Sequence, residues 1–493
     1  MVFEHLRAPA KVFNPGLGLN NSVFDSYKPL SSVMMVCHNW YIVALEKASL
    51  WTDVDYSRGL AFPLEMSRRA PLHLRIQISA DSKGFLLGEV RLSAFRLRQL
   101  DLWACDKDSM AYATRLLGFN MPLLRCLRMS FEKYHGGDVI SRTSSGNHPS
   151  LRGLVLNHFL WIPPESPGIT LPTALTHLRI SYFPDVSVAM LTRLLDATPA
   201  LEVLELCQCD VLDLSEVPTH TTTLEHLTHL TLFCMRTAVA AIFMPALFLP
   251  RATSVGLSFE VNTDIDDSVL PQPPSWHRAT RVHVDDSEEY ESLSIELEDD
   301  THRVALLLNY EAYEDRSAWP LPVPTASQLA RVTSAHVCLD DSGWQLLRPF
   351  MARVPSLATL DVETRAEDAA GAGRMAEALR DALLQEDPVL CPGLAEVALL
   401  STCNVHGLTE HLAPALRKRK RDARQVERLR TWIYVDEYST SEPVTIGGDV
   451  GDALAEHVGT GKVEHEEGAL WKRDEERWRR ENEFWLVSEK WCD

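Results

Sequence analysis

The hexapeptide "LRQLDL" at residues 97–102 is the first clear copy of a pattern, L-x-x-L-x-L, that recurs along this 493-residue chain. The last two copies, "LATLDV" (357–362) and "LAEVAL" (394–399), lie toward the C-terminus and, like those at 252 and 279, are weaker. From residue 97 to residue 279 the copies start at steps of 24 to 27 residues, which random leucine clusters would not keep. These intermediate copies are "LRCLRM" (124–129), "LRGLVL" (151–156), "LTHLRI" (175–180), "LEVLEL" (201–206), "LTHLTL" (227–232), "ATSVGL" (252–257) and "ATRVHV" (279–284).

The repeated pattern predicts short parallel strands. In L-x-L the two apolar residues lie on one face of a strand, and the leucine three positions earlier closes the turn into it. One such unit cannot bury its apolar face by itself, so we expect neighbouring units to stack into a continuous core. The fold class that follows is α/β: a leucine-rich-repeat solenoid with parallel strands on the concave face and helices on the convex face.

The segments between strands are expected to return as helices. "DVSVAMLTRLLDATPA" (185–200) is the best example, because Val186, Met190, Leu194 and Leu195 fall on one helical face. The apolar run "TAVAAIFMPALFLP" (237–250) is too short to span a bilayer, and it predicts a buried helix followed by a connector.

The regular step fails between 285 and 330. "DDSEEYESLSIELEDD" (285–300) carries nine acidic residues and no basic one. It could receive a basic partner, although a solvated strand pair with its loop is the favoured interpretation. "WPLPVPTAS" (319–327) is a proline-rich connector that predicts a break in the solenoid.

Two C-terminal features have alternative interpretations. The basic run 417–421 has the composition of a nuclear-localisation signal, but the solvated face of a last helix before the strand "RTWIYV" (430–435) is favoured. In the tail 469–491, Trp471, Trp478 and Trp485 recur every seven residues. This stripe is expected to cap the end of the solenoid, and a partner-binding helix is the alternative.

Composition and motif content disfavour several classes of function. A formal net charge of −20 disfavours general binding to nucleic acid or to anionic membranes. The ten cysteines show no metal-site spacing, and we expect them to be reduced and mostly structural, with Cys105 and Cys209 as packing residues. Motifs for nucleophilic, zinc or nucleotide chemistry are missing from the sequence, so we predict no enzyme, no metal and no cofactor. Without a signal peptide, the cytoplasm or nucleus is the expected location.

The stretch "VCHNWYIVALEKASLW" (36–51) resembles the second half of an F-box domain, in the form found in F-box-like proteins of mushroom-forming fungi. That group has V-C, two residues, W, then A-L and S-L-W, which this chain matches at 36–37, Trp40, 44–45 and 49–51. The segment 52–76 is also similar to the group, and its members carry degenerate leucine-rich repeats downstream. The usual Leu-Pro entry to the first F-box helix is missing from this sequence.

The resemblance implies that the chain binds other proteins and catalyses no reaction itself. An F-box binds a Skp-type adaptor and, through it, a cullin, while the repeats hold an unknown protein substrate for ubiquitination. The alternative is a repeat scaffold without ligase coupling, because the first helix is incomplete. The residues expected to face the adaptor are Phe3, Leu6, Val33, Val36, Cys37, Trp40 and Trp51.

Substrate is expected on the strand face that carries the repeats' outward positions. These positions alternate with the core leucines, and they are Gln99, Asp101, Trp103, Arg128, Ser130, Asn157, Arg179, Glu205 and Phe233. The predicted organisation is a truncated F-box-like helical module at 1–56, a solenoid at 57–438 with an irregular insertion near 285–330, and a linker with a Trp-rich helix at 439–493.

Overall fold

The computed structural model describes residues 34–55, 61–78, 83–136, 146–160, 172–184, 187–210, 221–260, 278–287, 292–309, 329–339, 343–364, 369–386, 389–401, 408–422, 424–435, 458 and 463–469. Three sequence features therefore lie outside the described residues: the chain before Met34, the proline-rich connector 319–327, and the tryptophans of the tail. The adaptor-facing residues Phe3, Leu6 and Val33 belong to the first of these.

Strands recur throughout the described residues. They are β1 Asp53–Asp55, β2 Leu72–Ile78, β3 Leu97–Ala104, β4 Cys126–Gly136, β5 Gly153–Leu160, β6 His177–Pro184, β7 Val203–Asp210, β8 Thr222–Thr223, β9 His229–Arg236, β10 Leu247–Phe248, β11 Ser254–Glu260, β12 Arg281–Ser287, β13 Ser292–Glu298, β14 Arg303–Asn309, β15 Ser334–Leu339, β16 Thr359–Thr364, β17 Glu396–Ser401, β18 Arg428–Val435 and β19 Val463–Ala469.

Helices connect many of these strands. They are α1 His38–Glu46, α2 Ala61–Met66, α3 Lys83–Ser93, α4 Lys107–Leu116, α5 Val188–Asp196, α6 Thr237–Phe243, α7 Leu347–Arg353, α8 Ala369–Leu384 and α9 Leu408–Arg421. Among the described helices, none combines the length and the apolar composition needed to cross a bilayer.

The chain divides into two compact units. The first contains the described residues of Met1–Leu227 and Ala246–Pro250, and the second contains those of Thr228–Pro245 and Arg251–Trp485. Both units are mixed α/β and are built on a large, mostly parallel set of strands, as the sequence predicted at that level. The three-part division of the chain stays a prediction.

In the first unit, β1 to β7 pair in chain order and every pairing is parallel. The two apolar residues of each L-x-L pair are buried, as the strand at Leu100 and Leu102 illustrates. The leucine that opens each copy is also buried, and its N–H donates to the carbonyl three residues earlier, as from Leu124 to Met121 and from Leu201 to Thr198. The predicted turn into the strand is therefore confirmed.

The predicted helix at 185–200 is present as α5. It starts at Ser187, whose hydroxyl accepts a hydrogen bond from the Met190 N–H at 3.2 Å and so caps the helix. Its buried face differs from the prediction, because Val188 and Leu191 join Leu194 and Leu195 there. Met190 is half-buried. The helix and connector predicted at 237–250 are also present, as α6 followed by a 3₁₀ turn and β10.

The second unit departs from a simple repeat. Its strand order is β9–β11–β14–β13–β12–β15–β16–β17–β18–β19. All pairings are parallel except those of β13, which runs antiparallel to both β12 and β14. The hairpin β13–β14 thus occupies the position next to β11 that a regular repeat would give to β12.

The acidic segment 285–300 forms part of this rearrangement. It does contain a strand pair, as predicted, but the pair is integrated into the sheet with Ile295 and Leu297 buried. Several of its acidic side chains have partners in the same unit: Glu296 pairs with Arg303 at 2.6 Å, and Glu298 lies 3.4 Å from Arg281. These acidic groups are already compensated within the fold.

The basic run 417–421 ends helix α9. Arg417, Lys420 and Arg421 are exposed, as expected for a solvated helix face. Arg419 is different: it is buried and its guanidinium donates to the carbonyls of Leu390 and Cys391 at 3.2 and 2.8 Å. Lys418 forms an ion pair with Glu386. Part of the run therefore binds α9 to the segment 386–391 that precedes β17. The predicted strand after the helix is present as β18.

Candidate interaction surfaces

The F-box-like segment folds around Trp51. This tryptophan is only 5% exposed and forms a small core with Ala44 and Leu50. Its indole Nε1–H donates to the Ala44 carbonyl at 2.8 Å, which ties the 3₁₀ turn Ala48–Trp51 to helix α1. The ring also meets Phe62 of α2 edge to face, with centroids 5.2 Å apart. Trp51 therefore stabilises the segment from inside.

Helix α1 and the turn before it present an apolar surface to solvent. Met35 is 86% exposed and Val36 is 63% exposed, and the helix adds four more large side chains. We call this set the α1 surface; its members are Met35, Val36, Trp40, Tyr41, Ile42 and Val43. Exposed large apolar side chains concentrated on one short segment are typical of binding sites, because isolated soluble domains tend to bury them.

The adaptor-facing residues predicted from the sequence are placed differently by the structure. Val36, Cys37 and Trp40 are exposed, whereas Trp51 lies in the core beneath them. The i, i+3, i+4, i+7 spacing of Val33, Val36, Cys37 and Trp40 predicts one continuous helix, and this prediction is wrong for the described part. Cys37 has an extended backbone, with φ −161° and ψ 163°, so a new helix starts at His38 and Val36 belongs to the preceding turn.

A polar face lies opposite the leucine rows of the first unit. Its residues come into register across β1 to β7, and three rows can be followed from strand to strand. They are Asp53–His73–Gln99–Cys126–Gly153–His177–Val203, Asp55–Arg75–Asp101–Arg128–Val155–Arg179–Glu205, and Gln77–Trp103–Ser130–Asn157–Ser181–Cys207 without a β1 member.

His73 joins three strands of this face. Its Nδ1 lies 2.7 Å from Asp53 of β1, and its Nε2 lies 3.0 Å from Asp101 of β3. Because both ring nitrogens face carboxylates, the doubly protonated imidazolium is the form that satisfies them. Burial by itself would lower the pKa of His73, but the Asp101 and Asp53 carboxylates outweigh it and raise the pKa above its usual value.

Asp101 is the anionic centre of the same network. Burial would raise its pKa, but His73, Arg128 and Arg75 hold the pKa of this carboxyl well below its usual range. Arg75 Nε lies 3.6 Å from Asp101 Oδ2, and Gln99 donates to Oδ1 at 3.3 Å. Farther along the row, Arg179 Nη1 lies 3.6 Å from Glu205 Oε2.

Eight of the nine predicted substrate-facing residues lie on this face, but they are less accessible than expected. Gln99, Ser130, Asn157 and Glu205 are buried, and Asp101, Trp103, Arg128, Arg179 and Phe233 are half-buried. One physical reason is that adjacent strands lie about 4.8 Å apart, so long side chains shield their neighbours. Phe233 is on β9 of the second unit, apart from the other eight.

The sequence prediction missed Asp53, His73 and Arg75. The signal was available, because Leu72, Leu74 and Ile76 alternate along β2 and leave 73 and 75 for the opposite face. The strand pairing β1–β2, which brings Asp53 opposite His73, carries no comparable pattern in a strand of three residues.

Residues with positive φ recur near the ends of the strands. His158, Tyr182, Gln208 and Cys234 have φ between 50° and 55°, and each stands five residues after the first residue of its strand. The rings of His158 and Tyr182 stack with centroids 4.0 Å apart. A left-handed backbone at a residue other than glycine costs free energy, so packing must hold these positions in place.

In the second unit, His283 and His336 stack with ring centroids 4.5 Å apart, and His336 Nε2 lies 3.1 Å from Glu363. The part of the chain that the structure describes contains no cluster of His, Cys, Asp or Glu that could hold a metal ion. Cys209 is a buried free thiol, as predicted, and Cys105 is a half-buried one. Cys126 corrects the expectation of reduced cysteines, because it is disulfide-bonded.

Comparison with known proteins adds no assignment: no protein-family model matches the chain. A search among curated proteins likewise gives no significant match.

Proposed function

We propose that this protein is a protein-interaction subunit, the substrate-recognition component of a Skp-cullin-F-box type ubiquitin ligase. It acts in the cytoplasm or nucleus. The α1 surface binds a Skp-type adaptor, and leucine-rich repeats, arranged as a solenoid, hold a protein substrate. Such a subunit performs no chemistry itself; it raises the effective concentration of substrate near the conjugating enzyme.

The observation that carries this proposal is the α1 surface. Six large apolar side chains are exposed on one short segment, and this segment is the one that resembles an F-box. The buried residues of this segment, Ala44, Leu50 and Trp51, form a small core that holds the helix. Exposed apolar side chains concentrated on one segment are well suited to a partner with an apolar groove.

The test is a pull-down of the full chain with a recombinant Skp-type adaptor. Val36→Asp with Val43→Asp is expected to lower adaptor recovery at least about tenfold, because two desolvated charges would oppose burial of the surface. Leu92→Asp is the matched control, since Leu92 is 71% exposed on α3 outside the α1 surface, and it should leave recovery unchanged.

A second candidate is a repeat scaffold without ligase coupling. The observation that favours it is the polar face, which the strands β2 to β7 form in register without the α1 surface. A chain given an intact first F-box helix separates the two functions. Recovery of adaptor by the unmodified chain supports the ligase subunit, whereas recovery only after that helix is added supports the scaffold.

A further inference from the structure

A buried guanidinium connects the region of the F-box-like segment to the repeats. Arg96 stands between α3 and β3 and is 6% exposed. Its Nη1 donates to Ser67 Oγ at 2.9 Å and to the Ala70 carbonyl at 3.4 Å, and its Nη2 donates to the Leu64 carbonyl at 3.0 Å. All three acceptors lie in the last turn of α2 or just after it, so one side chain from the repeats holds that end of the helix.

The C-terminal end of α2 favours a cation. The last carbonyls of a helix have no partner within it, and the helix dipole places partial negative charge there. The chain turns sharply after α2, because Arg68 has a left-handed backbone with φ 50°. Ser67 stays buried, and its hydroxyl donates to the Leu64 carbonyl at 2.9 Å. Local bonds in α2 and its turn therefore orient the acceptors that the guanidinium meets.

The charge of Arg96 is not neutralised by a carboxylate. Within the part of the chain that the structure describes, its hydrogen bonds go to two carbonyls and one hydroxyl. Burial lowers the pKa of Arg96 below its usual value. A buried charge without a counter-ion costs free energy, and an apolar side chain of similar size is often as stable at such a site. What the guanidinium adds is direction, because its planar donors fit their acceptors in one orientation.

Helix α2 transmits this direction to the α1 surface. Phe62 of α2 meets Trp51 edge to face, with ring centroids 5.2 Å apart. Met66, at the end of α2, packs against the small core to which Trp51 and Ala44 belong. Ala44 is part of α1, the helix that exposes four of the six side chains of the α1 surface. A displacement of α2 would therefore displace α1 as well.

A second attachment follows Trp51 in the chain. The His73 N–H of β2 donates to the Thr52 carbonyl at 2.8 Å, and β1 pairs with β2 from Asp53 onward. An attachment at one place would let the segment pivot about that place. Two attachments, at β1 and at the end of α2, fix the direction of the segment against the repeats.

We propose that Arg96 is a positioning residue that fixes the direction of the α1 surface relative to the polar face. This inference rests on the proposed function and deepens it: an adaptor on the first surface and a substrate on the second are held at one distance and angle. Ubiquitin transfer depends on such placement, because a small displacement of reacting groups lowers the rate steeply. Arg96 acts through α2, since its own side chain is buried.

The first test measures the distance between the two regions in the full chain. Spin labels are placed at Val43 of α1 and Arg115 of α4, both exposed, through a genetically encoded keto amino acid that leaves the native cysteines unlabelled. Pulsed electron paramagnetic resonance gives the distribution of label distances. Arg96→Met should widen this distribution, whereas Arg98→Met, at an exposed neighbour, should leave it unchanged. Equal widths for Arg96→Met and the unaltered chain would overturn the inference.

Hydrogen exchange measures the same loosening as a rate. Amides of α2 and of the 3₁₀ turn Ala48–Trp51 should exchange about tenfold faster in Arg96→Met, because two carbonyls lose a charged donor. Strands β5 and β6 should keep their rates, which separates orientation from general stability. Arg96→Lys retains a cationic donor, and its rates should lie between those of Arg96→Met and the unaltered chain. Equally faster exchange in β5 and β6 would make Arg96 an ordinary stabilising residue and contradict a positioning role.

Ser67→Ala keeps the distance measurement decisive if Arg96→Met does not fold. It removes one acceptor and leaves the charge in place, so a smaller widening is expected. In that case an unchanged width in Ser67→Ala would refute the positioning role.

The adaptor pull-down with the same chains separates this inference from the function on which it rests. Arg96→Met should recover as much adaptor as the unaltered chain, because the six side chains of the α1 surface are intact. If the unaltered chain binds no adaptor while Arg96→Met widens the distance distribution, the ligase coupling is wrong and the positioning role stands. If the adaptor binds while the width is unchanged, the positioning role is wrong and the ligase subunit stands.

Discussion

The α1 surface and the polar face are both candidates for binding, yet they are built in opposite ways. The α1 surface is apolar and exposed, and the small core of Ala44, Leu50 and Trp51 belongs to the same segment. The polar face is charged and largely shielded, and its groups hold one another across the strands. A partner of the first gains free energy by covering apolar area, whereas a partner of the second must match charges already in place.

The largest effect is expected beneath the α1 surface. Trp51→Ala removes a buried ring and its hydrogen bond to Ala44, so it should lower the free energy of unfolding of this segment by about 3–5 kcal/mol. Trp40→Ala, in the exposed set, should cost much less. Hydrogen exchange of residues 38–55 measures both. Equal loss of protection in the two variants would contradict the assignment of Trp51 to the core and Trp40 to the surface.

A smaller loss is expected at the centre of the polar face. Asp101→Asn leaves His73, Arg75 and Arg128 without their shared anion, which should destabilise the first unit by about 2–3 kcal/mol in urea unfolding. Asp300→Asn is the control, because that carboxylate is exposed. If both substitutions cost the same, the polar face is an ordinary solvated surface.

The stability of the polar face should depend on pH through His73. The folded-state pKa of His73 is raised, so its contribution is fully present below the unfolded pKa of about 6.5 and is lost as pH rises through the folded value. Urea unfolding of the unaltered chain at pH 6 and pH 9, compared with His73→Gln, isolates this contribution. If His73→Gln leaves the pH dependence of the free energy of unfolding unchanged, His73 does not contribute to the charged network.

The smallest effect is expected at the rim of the α1 surface. Met35→Ser changes the large apolar side chain that is most exposed among the described residues, so the free energy of unfolding should stay within about 0.5 kcal/mol of the unaltered value. Adaptor binding should nevertheless weaken. A loss of stability well beyond that range would mean that Met35 packs in the folded chain and is not available to a partner.

The sequence predicted the local parts of this molecule better than the pairing of distant ones. Alternating leucines identified β3 to β7 and their core face, because strand alternation is visible within six residues. The copy "ATRVHV" at 279–284 is indeed a strand, β12, but its neighbours are β13 and β15 rather than β11. Which strands pair is decided by contacts far apart in the chain, and no local pattern records them.

The binding surfaces show the same limit. The alternation placed Asp101, Arg128 and Arg179 on one face, but not their burial or their partners. The F-box resemblance selected the segment of the α1 surface, yet it grouped Trp51 with Trp40, although one is core and the other is exposed. Strand β19 was missed, because "VEHEEGA" lacks the apolar alternation on which strand prediction depends.

The residues with positive φ indicate where the chain can accept insertions or deletions. In β5, β6, β7 and β9 the residue with positive φ always stands five residues after the first residue of the strand. These residues are His158, Tyr182, Gln208 and Cys234. The repeat step itself varies from 24 to 27. Length variation is thus confined to the return segments beyond these residues. Insertions there can give the chain new loops, while the register that aligns the polar face is left untouched.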